Sequence, residues 1–196
     1  MCFFAAGDPA LTASTDIAEA VAHLRAADVL PEVEPARQRI LEFIDQHPDA
    51  LHRSCLAGHL TGSALVVDPT RGRTLLMLHR KLGRWFQPGG HADGDANLAG
   101  VALREAREET GITGLRVATP AIDLDIHEVP APEGTHLHLD VRYLVLAPAG
   151  AIAPGNHESL ELRWVDEAGL AALDPDPGTV RLVRRGLALA RPRSTG

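Results

Sequence analysis

Residues 89–112, GGHADGDANLAGVALREAREETGI, constrain this chain more than any other stretch. A double glycine opens a polar loop, Asp95 or Asn97 can cap a helix, and Gly111 can end it in the left-handed conformation with Ile112 beyond. On a helix advancing about 100° per residue, Glu105, Glu108 and Glu109 share one patch. Ala99, Leu103, Ala106 and Thr110 make a narrow stripe of small residues elsewhere on the same helix. That stripe can lie close against a sheet, which turns the acidic patch away from the core.

Three like charges so close repel one another, and the cost is recovered if an oxygen-seeking ion such as Mg²⁺ or Mn²⁺ sits among them. The competing reading is a solvated face in which Arg104 and Arg107 pair with the acids, each pair contributing only about 0.3–0.5 kcal/mol. Gly89 and Gly90 favour the metal, because backbone without a Cβ approaches a ligand closely and can present a carbonyl to the same ion.

The rest of the chain fits one domain with an appended segment. Its 196 residues are 45% hydrophobic and 23% charged, enough to bury a core unaided. Two cysteines, Cys2 and Cys55, form neither a disulfide framework nor a zinc knuckle, which suits a reducing cytoplasm. With no basic residue before the short apolar run at the start, and no long apolar run anywhere, neither secretion nor a membrane span is expected. A net charge of -7 argues against a broad nucleic-acid surface. A phosphate-bearing substrate would therefore need positive charge from elsewhere, and a divalent metal is the obvious source.

Helical spacing of Ile17, Val21 and Leu24 after the caps Ser14, Thr15 and Asp16, and of Ile40, Phe43 and Ile44 after Pro35, predicts two packing helices. From Gly58 the period shortens. GHLTGSALVVD and RTLLMLHR read as a hairpin, with further strands near 115–117, 122–129, 136–146 and 162–165 and helical stretches at 167–173 and 179–190. This order gives an α/β (α+β) sandwich rather than a doubly wound fold.

Gly90, Arg104, Glu105, Ala106, Glu108, Glu109, Gly111 and Ile112 match the Nudix box, G-x5-E-x7-R-E-U-x-E-E-x-G-U with U apolar, at every defined position but one. Ala96 stands where the box has its first Glu, with Asp93 and Asp95 nearby as partial substitutes. The chain thus resembles the Nudix hydrolases from about His59 to Ala190. The resemblance implies an α/β/α sandwich with a mixed sheet, comprising residues 59–196, behind an N-terminal helical extension at 1–58.

It further implies hydrolysis of a nucleoside diphosphate linked to another group, with Mg²⁺ or Mn²⁺ bound by Glu105, Glu108, Glu109 and the Gly90 carbonyl, and Arg104 orienting the glutamates. Glu105 could take the proton of the attacking water. Relatives often draw another acidic ligand or base from just before a strand carrying a Trp; here Trp164 marks the strand, Glu158 is first choice and Glu161 second. Competing implications are a sugar-nucleotide or isoprenoid-diphosphate enzyme, and a non-catalytic nucleotide sensor or scaffold on the same fold. A homodimer is plausible from the resemblance.

Ten histidines are many for this length. Strand alternation puts Asp123, Asp125 and His127 on one face of one strand and His136, His138 and Asp140 on one face of the next, joined through PAPEGT. Such rows can line a polar sheet face, read a base, bind phosphate when protonated, or hold a transition metal, which would need a converging third ligand. Arg80, Lys81 and Arg84, with Trp85 and Phe86, could grip a phosphate and stack on a base, or the aromatic pair could be core. His91, directly after Gly90, is a pocket candidate.

Overall fold

A computed structural model describes residues 1–80, 83–131, 134–156 and 159–191. Among them nine strands form one mixed sheet: β1 (Cys2–Ala5), β2 (Gly58–Asp68), β3 (Arg73–His79), β4 (Trp85–Phe86), β5 (Gly89–His91), β6 (Arg116–Thr119), β7 (Asp123–Ala131), β8 (Gly134–Leu146) and β9 (Ser159–Val165). The helices are α1 (Ile17–Ala26), α2 (Glu34–Gln46), α3 (Leu98–Thr110), α4 (Glu167–Leu170) and α5 (Pro177–Ala190). No described helix is long and apolar enough to cross a membrane.

The sheet is organised by β2, buried along its whole length, as expected of a strand covered on both faces. It runs parallel to β8 from Gly58↔Leu137 to Val67↔Leu146, and antiparallel to β3 at one end and β5 at the other. Alternation along β2 divides the core. Leu60, Ala64 and Val66 join α1, α2 and α3 on one face, while Leu65 and Val67 join α4 and α5 on the other. Each fully buried leucine here contributes about 1.5–3 kcal/mol of transfer free energy. The α5 side is tightly fitted: a Cβ on Gly186 would lie 2.1 Å from Leu65 Cδ2.

Both expected N-terminal helices form. Asp16 caps α1 by accepting the Ala18 N–H, and Ala20, Leu24, Ile40 and Ile44 enter the same apolar cluster as Leu60 and Val141. The segment before His59 is thus packed into the sheet's core. It also supplies β1, which pairs with β6 from Cys2↔Thr119 to Ala5↔Arg116 and had no counterpart in the sequence reading.

Candidate active site

Helix α3 begins where the Asn97 side chain accepts the Gly100 N–H at 3.0 Å and ends at Gly111, φ +69°, whose N–H bonds the Arg107 carbonyl. Of the two cap candidates, Asn97 is therefore the one used. Ala99, Leu103, Ala106 and Thr110 are buried as the stripe required. The helix comes close because β2 has a glycine beneath it: a Cβ on Gly62 would stand 2.8 Å from the Leu98 carbonyl oxygen.

Gly62 pairs with Gly90 and Ser63 with Gly89, so the double glycine lies beside the same helix. A Cβ on Gly90 would fall 2.5 Å from Glu105 Cδ, and the Glu109 carboxylate, itself buried, accepts the Gly89 N–H at 2.9 Å. Two box glutamates are thereby brought against the glycine turn. Glu108 is exposed on the outer side of the helix. Arg104 donates to Glu105 Oε1 at 3.1 Å, reaches toward the His91 carbonyl at 3.5 Å, and stands 3.8 Å from Asp95.

Ala96 is fully buried, covered by the stretch ahead of α1. Its N–H donates to the Ser14 carbonyl, while Asp95 accepts the Ser14 N–H and Asn97 donates to the Ala10 and Thr12 carbonyls. Asp95 is engaged with Ser14 and Arg104, and Asp93 is paired with Arg53.

Glu158 and Lys81 lie outside the described residues. Glu161 is on β9, opposite Leu78 of β3, where Arg163 holds its carboxylate at 2.6 Å. Arg80 and Arg84 are exposed at the β3–β4 turn, Arg80 making a long 3.4 Å contact to the Ser159 carbonyl. Trp85 carries the Arg163 guanidinium 5.0 Å over its ring and packs on the α5-side core, so its face is already covered. Two described hollows, of about 240 and 160 Å³, lie elsewhere: one beside α4 and α5, the other between α2 and strands β7 and β8.

The histidine rows do meet: His127 faces His138 and Asp125 faces Asp140 across β7 and β8. The parallel β2–β8 register adds His59 opposite His138, and β5 adds His91 opposite Thr61. The ring of His59 lies 4.8 Å from those of His91 and His136 and 5.0 Å from that of His138. Burial, then the mutual repulsion of the rings and of Arg53, pushes His91 down to about 4. Burial and the neighbouring histidines push His138 to about 2. Both rings are thereby held below the ordinary histidine range, which disfavours their charged forms.

His59 was missed in the sequence reading. Its signal was present, since His59, Thr61 and Ser63 place a polar residue at every second position of an otherwise apolar strand. Further along this face Arg142 is clasped by Asp140 at 2.7 Å, Asp125 at 2.9 Å and Asp123 at 3.3 Å, with Arg181 bonded to Asp123 from α5. Thr61 and Ser63 donate to Asp140.

Comparison with known proteins decides the family. The NUDIX domain profile matches residues 59–185. The chain belongs to the Nudix hydrolase family. A Mycobacterium tuberculosis Nudix relative provisionally named 8-oxo-dGTP diphosphatase 3 is 35% identical over 111 residues, covering 53% of this chain and 49% of that protein. Phosphatase NudJ of Escherichia coli is 32% identical over 111 residues, covering 55% and 62%. The chain therefore spans about half to three-fifths of the length of these relatives. Among solved structures, the Nudix hydrolase RenU of M. smegmatis superposes with a TM-score of 0.51 at 27% identity, over 67% of this chain and 84% of that one. A NUDIX family hydrolase of Clostridium perfringens gives 0.52 at 22% identity, over 67% and 97%. The fold is thus the Nudix α/β sandwich with a mixed sheet.

Proposed function

We propose that this protein hydrolyses a diphosphate bond in a nucleoside diphosphate linked to a further group, using Mg²⁺ or Mn²⁺ in the cytoplasm. The observation that carries the reading is the placement of two carboxylates on one glycine turn, with Glu105 against Gly90 and Glu109 on the Gly89 N–H. The donors fit a hard cation. They are carboxylate and carbonyl oxygens, in a cradle that a single Cβ would fill. Glu105, Glu108, Glu109 and the Gly90 carbonyl would hold the ion, with Glu158 as a further ligand. When bound, the ion neutralises diphosphate charge and acidifies an attacking water.

The remaining work falls to the chain. Arg104, bonded to Glu105 Oε1, restrains that carboxylate so that its other oxygen keeps one orientation. Glu105 then accepts the water proton, with Glu158 as the alternative base. Arg80 and Arg84, exposed cations at the β3–β4 turn, would meet the phosphate tail of the substrate. The names of the relatives support nucleoside triphosphates, including oxidised ones, as the first substrates to try.

A hydrolysis screen over nucleoside triphosphates, dinucleotides and coenzyme and sugar diphosphates, with Mg²⁺ and Mn²⁺ in parallel, tests this. Turnover lost in Glu105→Gln and in Glu109→Gln is expected. Nucleotide binding without turnover across the whole panel would instead favour the sensor reading, for which the absent box Glu at Ala96 is the specific observation.

A further inference from the structure

The histidine cluster lies apart from the glutamates. By strand alternation Gly90 presents its α-hydrogen side to Glu105 on α3, whereas its neighbour His91 faces the opposite way, with Thr61 and the β8 row. Three strands deliver His59, His91 and His138 to one place, and one ligand nitrogen from each lies within 4.8 Å of the other two. His59 is only 3% exposed. Among the described residues neither of its ring nitrogens has a hydrogen-bond partner, and the buried Nε2 atoms of His136 and His138 are likewise unpartnered. The backbone of Cys55 lies beside the His59 ring. Four unpaired imidazole nitrogens buried together are an arrangement that folded proteins avoid unless something satisfies them.

We infer that His59, His91 and His138 form a binding site for a divalent transition-metal ion of the zinc, cobalt or nickel kind. The donor set decides the class: imidazole nitrogens suit these ions, whereas Mg²⁺ and Ca²⁺ take oxygen. Tetrahedral zinc with nitrogen ligands at about 2.0–2.1 Å sets donors roughly 3.3–3.4 Å apart, so small ring rotations close the site. His136, whose ring is 4.8 Å from that of His59 and 5.1 Å from that of His138, is the available fourth ligand. Around the ligands, His127 is turned by Asp125, its Nδ1 3.4 Å from the carboxylate, and its ring lies 5.4 Å from that of His138. The adjoining network sets three carboxylates, Asp123, Asp125 and Asp140, against two guanidiniums, Arg142 and Arg181. That excess of negative charge favours a cation next to it.

This inference does not depend on the hydrolase reading, and the test keeps them apart. Tag-free protein of residues 1–196 is stripped with chelator and titrated with Zn²⁺ by calorimetry and with Co²⁺ by visible absorption, in wild type and in the Glu105→Gln, Glu109→Gln double variant. One equivalent of each ion is expected to bind the double variant, and the wild type should keep that same site beside whatever its carboxylates take up; Co²⁺ in it should show the intense visible bands of a tetrahedral nitrogen-ligated ion, and millimolar Mg²⁺ should not displace it. His91→Asn and His138→Gln should each weaken binding at least about 10-fold, since even loss of an outer partner of a ligand costs 10–100-fold. Binding unchanged in both histidine variants, or abolished by the glutamate pair alone, overturns the site. Should His138→Gln not fold, nitrogen NMR of the wild-type rings replaces it: Zn²⁺ must shift His59 and His138, and unshifted rings overturn the site equally.

Discussion

The Ala96 N–H donates to the Ser14 carbonyl at 2.6 Å, tying the stretch ahead of α1 across the start of the α3 helix. Leu11 completes the cover, its carbonyl oxygen 3.1 Å from where a Cβ on Gly100 would stand. A glutamate at position 96 would thus have to place its carboxylate where the alanine is fully buried under the chain's own N-terminal segment. Ala96→Glu should cost roughly 3 kcal/mol or more and lower the melting temperature by roughly 6–12 °C, read by calorimetry. Unchanged melting together with tighter Mn²⁺ binding would show that the segment does not exclude the family's residue.

Gly90→Ala separates activity from stability. The new Cβ would meet the Glu105 carboxyl at 2.5 Å, and because that carboxyl is the end of a flexible side chain it can swing aside at little cost to the fold. Stability should fall by less than about 1.5 kcal/mol, while Mn²⁺ affinity and turnover at the carboxylate site fall at least 10-fold. Retained Mn²⁺ affinity, measured by spin-resonance titration, would mean that Glu105 does not need its place against the turn.

Much of this site was legible in the sequence because it is local. Asn97, Gly111 and the small stripe of α3 act within one helix, and period-two alternation was enough to bring Asp125 and His127 opposite Asp140 and His138. What escaped the reading is long-range. The parallel pairing of His59 with His138 joins distant segments, and no local pattern specifies it. The edge strand β1 is only four residues long and mostly exposed, so its sequence carries little periodic signal. The cover over Ala96 is invisible for the same reason, being made of backbone carbonyls from residues 10–14.

Asp68 gives the fold an acid-sensitive joint. Burial alone would raise its pKa, but the Thr70 hydroxyl and N–H, the Gly150 N–H and Arg73 together outweigh that and leave it below its ordinary value. A depressed carboxylate stabilises the fold above its unfolded value near 3.9 and loses that contribution as pH falls through the native one. Asp68→Asn should therefore cost about 1.5–3 kcal/mol at pH 7 in urea unfolding. Toward pH 3 and below, the gap between wild type and variant should narrow. A gap that stays constant across this range would remove the carboxylate's charge from the explanation.

Arg142 is the residue on which the polar face of the sheet turns, only 4% of its side chain being exposed while three carboxylates surround it. Arg142→Leu leaves Asp123 and Asp125 with Arg181 and leaves Asp140 with no described arginine partner, and should cost about 3–5 kcal/mol. Arg142→Lys should not restore the loss, because one ammonium cannot reproduce the fork that serves Asp140 through Nε and the other two through its terminal nitrogens. Adding Asp140→Asn to Arg142→Leu should recover part of the deficit, since the charge left unpaired is then removed while the Thr61 and Ser63 hydroxyls keep an acceptor in the amide oxygen. Urea denaturation of the four proteins of this cycle measures the coupling. Strictly additive losses would mean that Asp140 and Arg142 stabilise the sheet independently and that the buried pair is not the element holding this face together.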